Sequence, residues 1–221
     1  MFKRFIKKLI QLQPAKEIKD EDLEYLLWIS NLYLQVVNIP GHIAEVGVAN
    51  GRNTILFARL IQMYGDSSVR QYLGFDTFDG FTENDLERDE HLIKNNNRWK
   101  VFSKKGVLER CAINGVENEV EIFEGDAASV IIKTLSSHNG KKFQPGKARF
   151  ALVYIDCNAY RPALESMEAF LPHMVPGSIF AVDEKLQGGE TEAMLEFAKA
   201  HNFLIEKPGR NQVPMIIKIP K

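Results

Sequence analysis

Two cysteines, Cys111 and Cys157, are all that the 221-residue chain carries. Their spacing matches no metal motif, and a lone pair in a chain this long is no disulfide framework, so a reducing cytoplasmic compartment is expected. Long apolar runs are missing too. None approaches the roughly 20 residues that span a bilayer, so no stable membrane insertion is expected. The basic N-terminus, Met1-Phe-Lys-Arg-Phe-Ile-Lys-Lys-Leu-Ile-Gln-Leu12, lacks the uninterrupted apolar stretch of a signal peptide. An excess of charge of one sign is also absent. A net charge of -1 gives no electrostatic reason to expect nucleic acid as a partner. There is no internal repeat. What is present is 45% hydrophobic and 26% charged, an ordinary globular balance. The length suits one α/β domain over residues 1–221 with a sizeable core.

Within residues 1–37 the apolar positions fall at helical spacing. Phe2, Phe5, Ile6, Leu9 and Ile10 alternate with lysines, and Pro14 ends that stretch. The segment reads as a short helix packed on its own domain or on a second copy of the chain. A membrane-surface helix is the less favoured alternative, because one short helix anchors weakly. Asp20 or Asp22 is placed to cap a second helix, through Leu34.

From Pro40-Gly41 onward, strands and helices alternate. Strands are expected at 42–46, 71–75, 120–123, 150–155 and 178–182. Helices are expected near 53–63, 104–113, 128–136, 161–171 and 190–201. Two final strands, 203–206 and 214–219, flank Pro208-Gly209, a hairpin-like return. The pattern is lost over 79–105, a polar stretch with Asn95-Asn96-Asn97, Arg98 and Trp99; inside a compact domain such a segment is typically a lid, a binding loop or disorder. The sum is a doubly wound, seven-stranded α/β sheet with N-terminal helices and an inserted lid.

The chemistry concentrates at strand ends. Phe150-Ala-Leu-Val-Tyr-Ile-Asp156 and Gly177-Ser-Ile-Phe-Ala-Val-Asp183-Glu184 are buried-type runs that end in carboxylates. Ile43-Ala-Glu45-Val-Gly47-Val-Ala-Asn-Gly51 is a strand breaking into a glycine turn. In parallel sheets ligands bind outside the carboxyl ends of the strands. Gly47 and Gly51 permit a tight turn and close approach to a ligand. The third glycine of G-x-G-x-x-G is missing, and Glu45 would repel a pyrophosphate while suiting a cation. S-adenosylmethionine, with its sulfonium and ammonium groups, therefore fits better than NAD, although the turn is equally readable as purely structural. Asp76 is placed to accept ribose hydroxyls or to brace its loop, and Asp126 to contact an adenine amino group or to cap a helix. Asp156, Asp183 and Glu184 would converge if strands four and five are neighbours. That arrangement suits Mg²⁺, unless Asp156 caps a helix and the other two face solvent.

Taken together these stretches resemble the class I S-adenosylmethionine-dependent methyltransferases, and among them the macrocin-type sugar O-methyltransferases. The matching segments are Pro40-Gly-His-Ile-Ala-Glu-Val-Gly-Val-Ala-Asn-Gly51, Gly74-Phe-Asp-Thr-Phe-Asp-Gly-Phe81, Glu124-Gly-Asp126, Val153-Tyr-Ile-Asp156 with Tyr160, Leu171-Pro-His-Met-Val-Pro-Gly-Ser-Ile-Phe-Ala-Val-Asp183-Glu184, and Glu192-Ala-Met-Leu-Glu-Phe197. The resemblance covers residues 38–200. It implies cofactor contacts at Glu45, Gly47, Gly51, Asp76 and Asp126, Mg²⁺ at Asp156, Asp183 and Glu184, and methylation of a hydroxyl on a sugar or similar small molecule. Two departures stand out. Asn158 replaces the acid that such enzymes use as general base, and the paired aspartates read Asp-Glu followed by Lys185. His91 in the lid is a candidate replacement base beside Asp156, and Tyr160 and Trp99 are candidate walls of the acceptor pocket. The alternatives are a cofactor-binding protein of this fold with lost or altered catalysis and, less favoured, a nicotinamide-dependent oxidoreductase.

Overall fold

A computed structural model describes residues 20–183, 188–206 and 215–221. The amphipathic segment 1–12, Glu184 and Pro208-Gly209 lie outside these residues. Helix α1 (Asp20–Val36) leads into strand β1 (His42–Val46). The chain continues through α2 (Arg52–Met63), β2 (Tyr72–Asp76), a single helical turn α3 (Asn96–Trp99), α4 (Lys104–Ile113), β3 (Val120–Glu124) and α5 (Ala127–Ser137). It closes with β4 (Phe150–Ile155), α6 (Tyr160–Phe170), β5 (Met174–Val182), α7 (Gly189–His201), β6 (Ile205–Glu206) and β7 (Ile216–Lys218). No described helix is long and apolar enough to cross a membrane.

The seven strands lie in the order β3-β2-β1-β4-β5-β7-β6. Strands β1 to β5 are parallel, and β7 runs antiparallel between β5 and β6. The expected doubly wound sheet is therefore present. Successive residues of a strand point to opposite faces, and both faces are buried. Ile43, Leu152 and Tyr154 pack with α1, α2 and α4, whereas Ala44, Val46, Val153 and Ile155 pack with α5, α6 and α7. Apolar residues on both faces explain why these strands read as continuous hydrophobic runs.

Two expectations change in the structure. Strand β5 begins at Met174, four residues before the sequence suggests. Its register against β4 jumps between Phe150↔Met174 and Leu152↔Ile179, with Gly177 at φ +84. Pro176-Gly177 reads as a turn but forms a bulge within the strand. The 79–105 stretch is not irregular: it folds into short helical turns at Asn84–Leu86, Glu90–Asn95 and α3.

The order in which the chain lays down its parallel strands reverses between β1 and β4. The sequence winds outward from β1 to β2 and β3 on one side, then from β4 to β5 on the other. The carboxyl ends of β1 and β4 thus border a crevice at a topological switch point.

Candidate cofactor site

The turn after β1 is stitched into its neighbours at both ends. Gly47 N donates to Phe75 O on β2 at 2.9 Å, and Asp156 N, just past β4, donates to Val46 O at 2.8 Å. Gly47 sits at φ +91, and a Cβ there would lie 1.9 Å from the Asp156 carbonyl oxygen. Only glycine lets the turn pass this close to the end of β4. Gly51, at φ +78, precedes α2; a Cβ there would meet Val107 Cγ1 of α4 at 2.9 Å. Its role is packing of the turn against α4.

Asp76 closes β2 and grips the same turn. Its Oδ2 accepts from Val48 N at 2.7 Å and Ala49 N at 2.8 Å, and its Oδ1 accepts from Phe78 N at 2.7 Å. Bracing is thus a real function of Asp76, and each carboxylate oxygen has capacity for a further donor. Asp126 stands at the N-terminus of α5 without a side-chain bond to that helix's backbone. Its contacts are the Ser129 hydroxyl at 3.2 Å and Arg161 at 3.8 Å, which leaves it available to a ligand.

Gly47, Ala49, Asp76, Asp126, Asp156 and Asn158 line one cavity over the switch point, closed on the far side by Phe81, Asp85 and Trp99 of the 79–105 segment. Sequence reasoning missed Phe81 and Asp85. Glu45, Gly51, Asp183, His91 and Tyr160 are not among the lining residues. His91 stands exposed on the Glu90–Asn95 turn. Tyr160 is buried, with its hydroxyl donating to Glu196 at 2.5 Å and Arg88 stacked 3.6 Å over its ring.

Glu45 is wholly buried beneath the turn. Asn53 Nδ2 donates to its Oε1 at 2.8 Å and the Tyr72 hydroxyl donates to its Oε2. Tyr72 also meets Thr54 Oγ1 at 2.9 Å, and the Tyr25 hydroxyl of α1 donates to Asn53 Oδ1 at 2.5 Å. Burial outweighs these bonds and pushes the carboxyl up to about 8. Glu45 is therefore not a surface acid facing a ligand.

Asp156 and Asp183 end paired strands, as the register of β4 against β5 requires. Burial raises Asp156 well above the usual carboxylate range, and the negative charges of Asp183, Glu190, Glu45 and Asp76 add to it. Asp183 Oδ1 accepts from the Tyr154 hydroxyl. Two hard oxygen donors in a crowd of like charge fit a divalent cation as two of its ligands. The third expected ligand, Glu184, is outside the described residues. Among the described residues no group of three or more His, Cys, Asp or Glu side chains is placed to hold a metal.

The 79–105 segment is fastened over the rim by buried acids that no sequence pattern marks. Asp85 pairs with Arg161 at 3.2 Å, and Asp89 Oδ2 accepts from Tyr160 N, at the start of α6, at 2.7 Å. Both acids are 4% exposed. Asn158 sits in the left-handed region at φ +61 with its backbone N–H donated to Glu190, so a second buried carboxylate stands behind the position where an acid was expected.

A family model described as a methyltransferase domain matches residues 44–184, more than half of the chain. The chain belongs to this methyltransferase family. Among curated proteins it is 21% identical over 159 residues to 8-demethyl-8-(2,3-dimethoxy-alpha-L-rhamnosyl)-tetracenomycin-C 4'-O-methyltransferase of Streptomyces olivaceus, a match covering 66% of this chain and 53% of that protein. The chain thus spans about half the length of that relative. The crystal structure of CalS11, a calicheamicin methyltransferase, superposes with a TM-score of 0.72 at 24% identity, covering 97% of this chain and 90% of that one. The O-methyltransferase NovP superposes with a TM-score of 0.74 at 18% identity, covering 94% and 84%. At these identities the two structures establish the fold. Membership of the methyltransferase family sets aside the nicotinamide-dependent oxidoreductase.

Proposed function

We propose that this methyltransferase uses S-adenosylmethionine to methylate a hydroxyl of a sugar or related small molecule in the cytosol. The observation that carries the reading is the convergence of Gly47, Asp76, Asp126 and Asp156 on one cavity at the switch point. In this reading Asp76 takes the ribose hydroxyls while bracing the turn, Asp126 takes the adenine amino group, and the backbone around Gly47 receives the amino-acid end. The sulfonium then points toward Asp156, whose negative surroundings favour a cationic ligand. Trp99 and Phe81 supply flat apolar walls to a sugar face. The Streptomyces olivaceus relative, named as a 4'-O-methyltransferase of a rhamnosyl-tetracenomycin, supports a sugar-like acceptor.

Transfer requires the acceptor oxygen in line with the methyl–sulfur bond, so holding both ligands in one crevice supplies much of the rate. The hydroxyl proton must leave as the oxygen attacks. The Asn158 amide cannot take it. Asp156 faces the cavity and is the carboxyl placed to accept it, with burial and the neighbouring negative charges raising its pKa. A divalent cation held by Asp156 and Asp183, when bound, would lower the pKa of the attacking hydroxyl and orient its neighbour.

The test is methyl transfer from labelled S-adenosylmethionine to a panel of free and activated sugars, with products identified by mass spectrometry. A methylated sugar is expected, and Asp156→Ala should abolish it even at saturating cofactor. Cofactor binding without transfer to any acceptor would support the reading in which catalysis has been lost.

A further inference from the structure

The opposite end of the sheet carries a second, chemically different cleft of about 450 Å³. It lies where β1, β2 and β4 begin, one strand length from the cofactor rim, about 15 Å away at the usual rise per residue. Its lining includes Arg70, Lys142, Lys147 and Arg149, together with His42, and no carboxylate. Four cations around one concavity repel one another, and such a cluster favours an anion.

The floor of this cleft is built rather than incidental. His42 is 6% exposed and Arg70 is 4% exposed. His42 Nδ1 and Arg70 Nη1 are buried without a hydrogen-bond partner, and so are both side-chain polar atoms of the adjacent, fully buried Gln71. The other Arg70 nitrogen is spent on the carbonyls after α1, with Ile39 O at 2.6 Å, while Nη1 has only a 3.5 Å ion pair to Asp66. Lys142 is held over the cleft by a 2.9 Å bond from its Nζ to Arg70 O. Buried polar groups without hydrogen-bond partners are rare in folded proteins, and such groups on two residues that line one cavity, His42 and Arg70, call for an occupant. Burial, helped by the charges of Arg70 and Lys142, lowers the His42 pKa to about 4, so the ring is neutral there and offers one N–H donor rather than a fifth charge.

We propose that this cleft is a binding site for the phosphoryl group of a small soluble organic phosphate, separate from the methyl-transfer site. A phosphate ester brings nearly two negative charges and three strong acceptor oxygens, matching the mixture of exposed cations at the rim and neutral and cationic donors at the floor. Arginine and lysine are the usual partners of such groups. The separation of the two ends means that one small ligand does not occupy both sites.

The experiment is calorimetric titration of the full chain with inorganic pyrophosphate in metal-free buffer, with and without saturating S-adenosylhomocysteine, repeated with inorganic phosphate. Both titrations are then run on the Lys147→Ser/Arg149→Ser variant, whose changes are on exposed side chains. One saturable site is expected, unaffected by S-adenosylhomocysteine and weakened about tenfold or more in the variant, the scale of losing a charge-assisted hydrogen bond. Absence of saturable binding by either anion, displacement by S-adenosylhomocysteine, or equal affinity in the variant would each overturn the proposal.

Discussion

Replacing Glu45 by glutamine should change how stability depends on pH. The folded protein holds the Glu45 proton up to about pH 8, whereas an unstructured glutamate releases it near 4.5. Between those values the folded state binds more protons than the unfolded state. Stability from this group is therefore complete below about pH 4.5, is lost as pH rises, and is gone above about pH 8. The slope is about 1.4 kcal/mol per pH unit, so Glu45 destabilises the fold by about 3 kcal/mol between pH 5 and pH 7. Glutamine removes that term without losing the network. Its oxygen can still accept from Asn53, its amide can donate to the Tyr72 oxygen, and the Tyr72 proton can turn to Thr54, 2.9 Å away. Urea unfolding followed by fluorescence of the buried Trp28 would measure this at pH 5, 6, 7 and 8. The variant should gain about 3 kcal/mol on the wild type between pH 5 and 7. Parallel pH profiles would mean that Glu45 is ionised in the fold, and the reasoning would fail.

Three other perturbations have definite outcomes. Gly47→Ala places a methyl 1.9 Å from the Asp156 carbonyl oxygen, so the turn must move; S-adenosylhomocysteine affinity should fall at least about tenfold, with a stability loss of about 1–3 kcal/mol in thermal unfolding. Asp126→Ala removes a half-buried side chain with two weak contacts. Stability should change by less than about 0.5 kcal/mol while cofactor affinity falls about tenfold, and unchanged affinity in calorimetry would remove Asp126 from the adenine site. Asp89→Ala deletes the acceptor for Tyr160 N at the start of α6. The 79–105 segment should become more sensitive to limited proteolysis and KM for the acceptor should rise, with S-adenosylhomocysteine affinity unchanged.

Most of the fold was legible because β1, β4 and their neighbours are buried on both faces and so appear as unbroken apolar runs. Their terminal acids were legible for the same reason: a carboxylate directly after such a run must sit at the rim. Glu45 reads in the sequence as an acid suited to a cationic ligand, whereas its burial beneath the turn and its bonds to Asn53 and Tyr72 were not legible. The alternation of β1 puts it on the face of Ile43, under α2, and its partners Tyr72 and Asn53 come from separate elements that no local pattern links. The bulge at Pro176-Gly177 hid the start of β5 behind an ordinary turn signal. Asp85 and Asp89 were invisible because a buried acid in a polar stretch looks like a solvated one; only the N-terminal turn of α6 reveals what they hold.

The most direct measurement is calorimetric titration of the folded protein with S-adenosylhomocysteine. The account predicts one saturable site per chain, weakened when Asp76 is replaced by alanine, because Asp76 both braces the glycine turn and lines the cavity. A folded protein that takes up no S-adenosylhomocysteine would contradict the account at its centre.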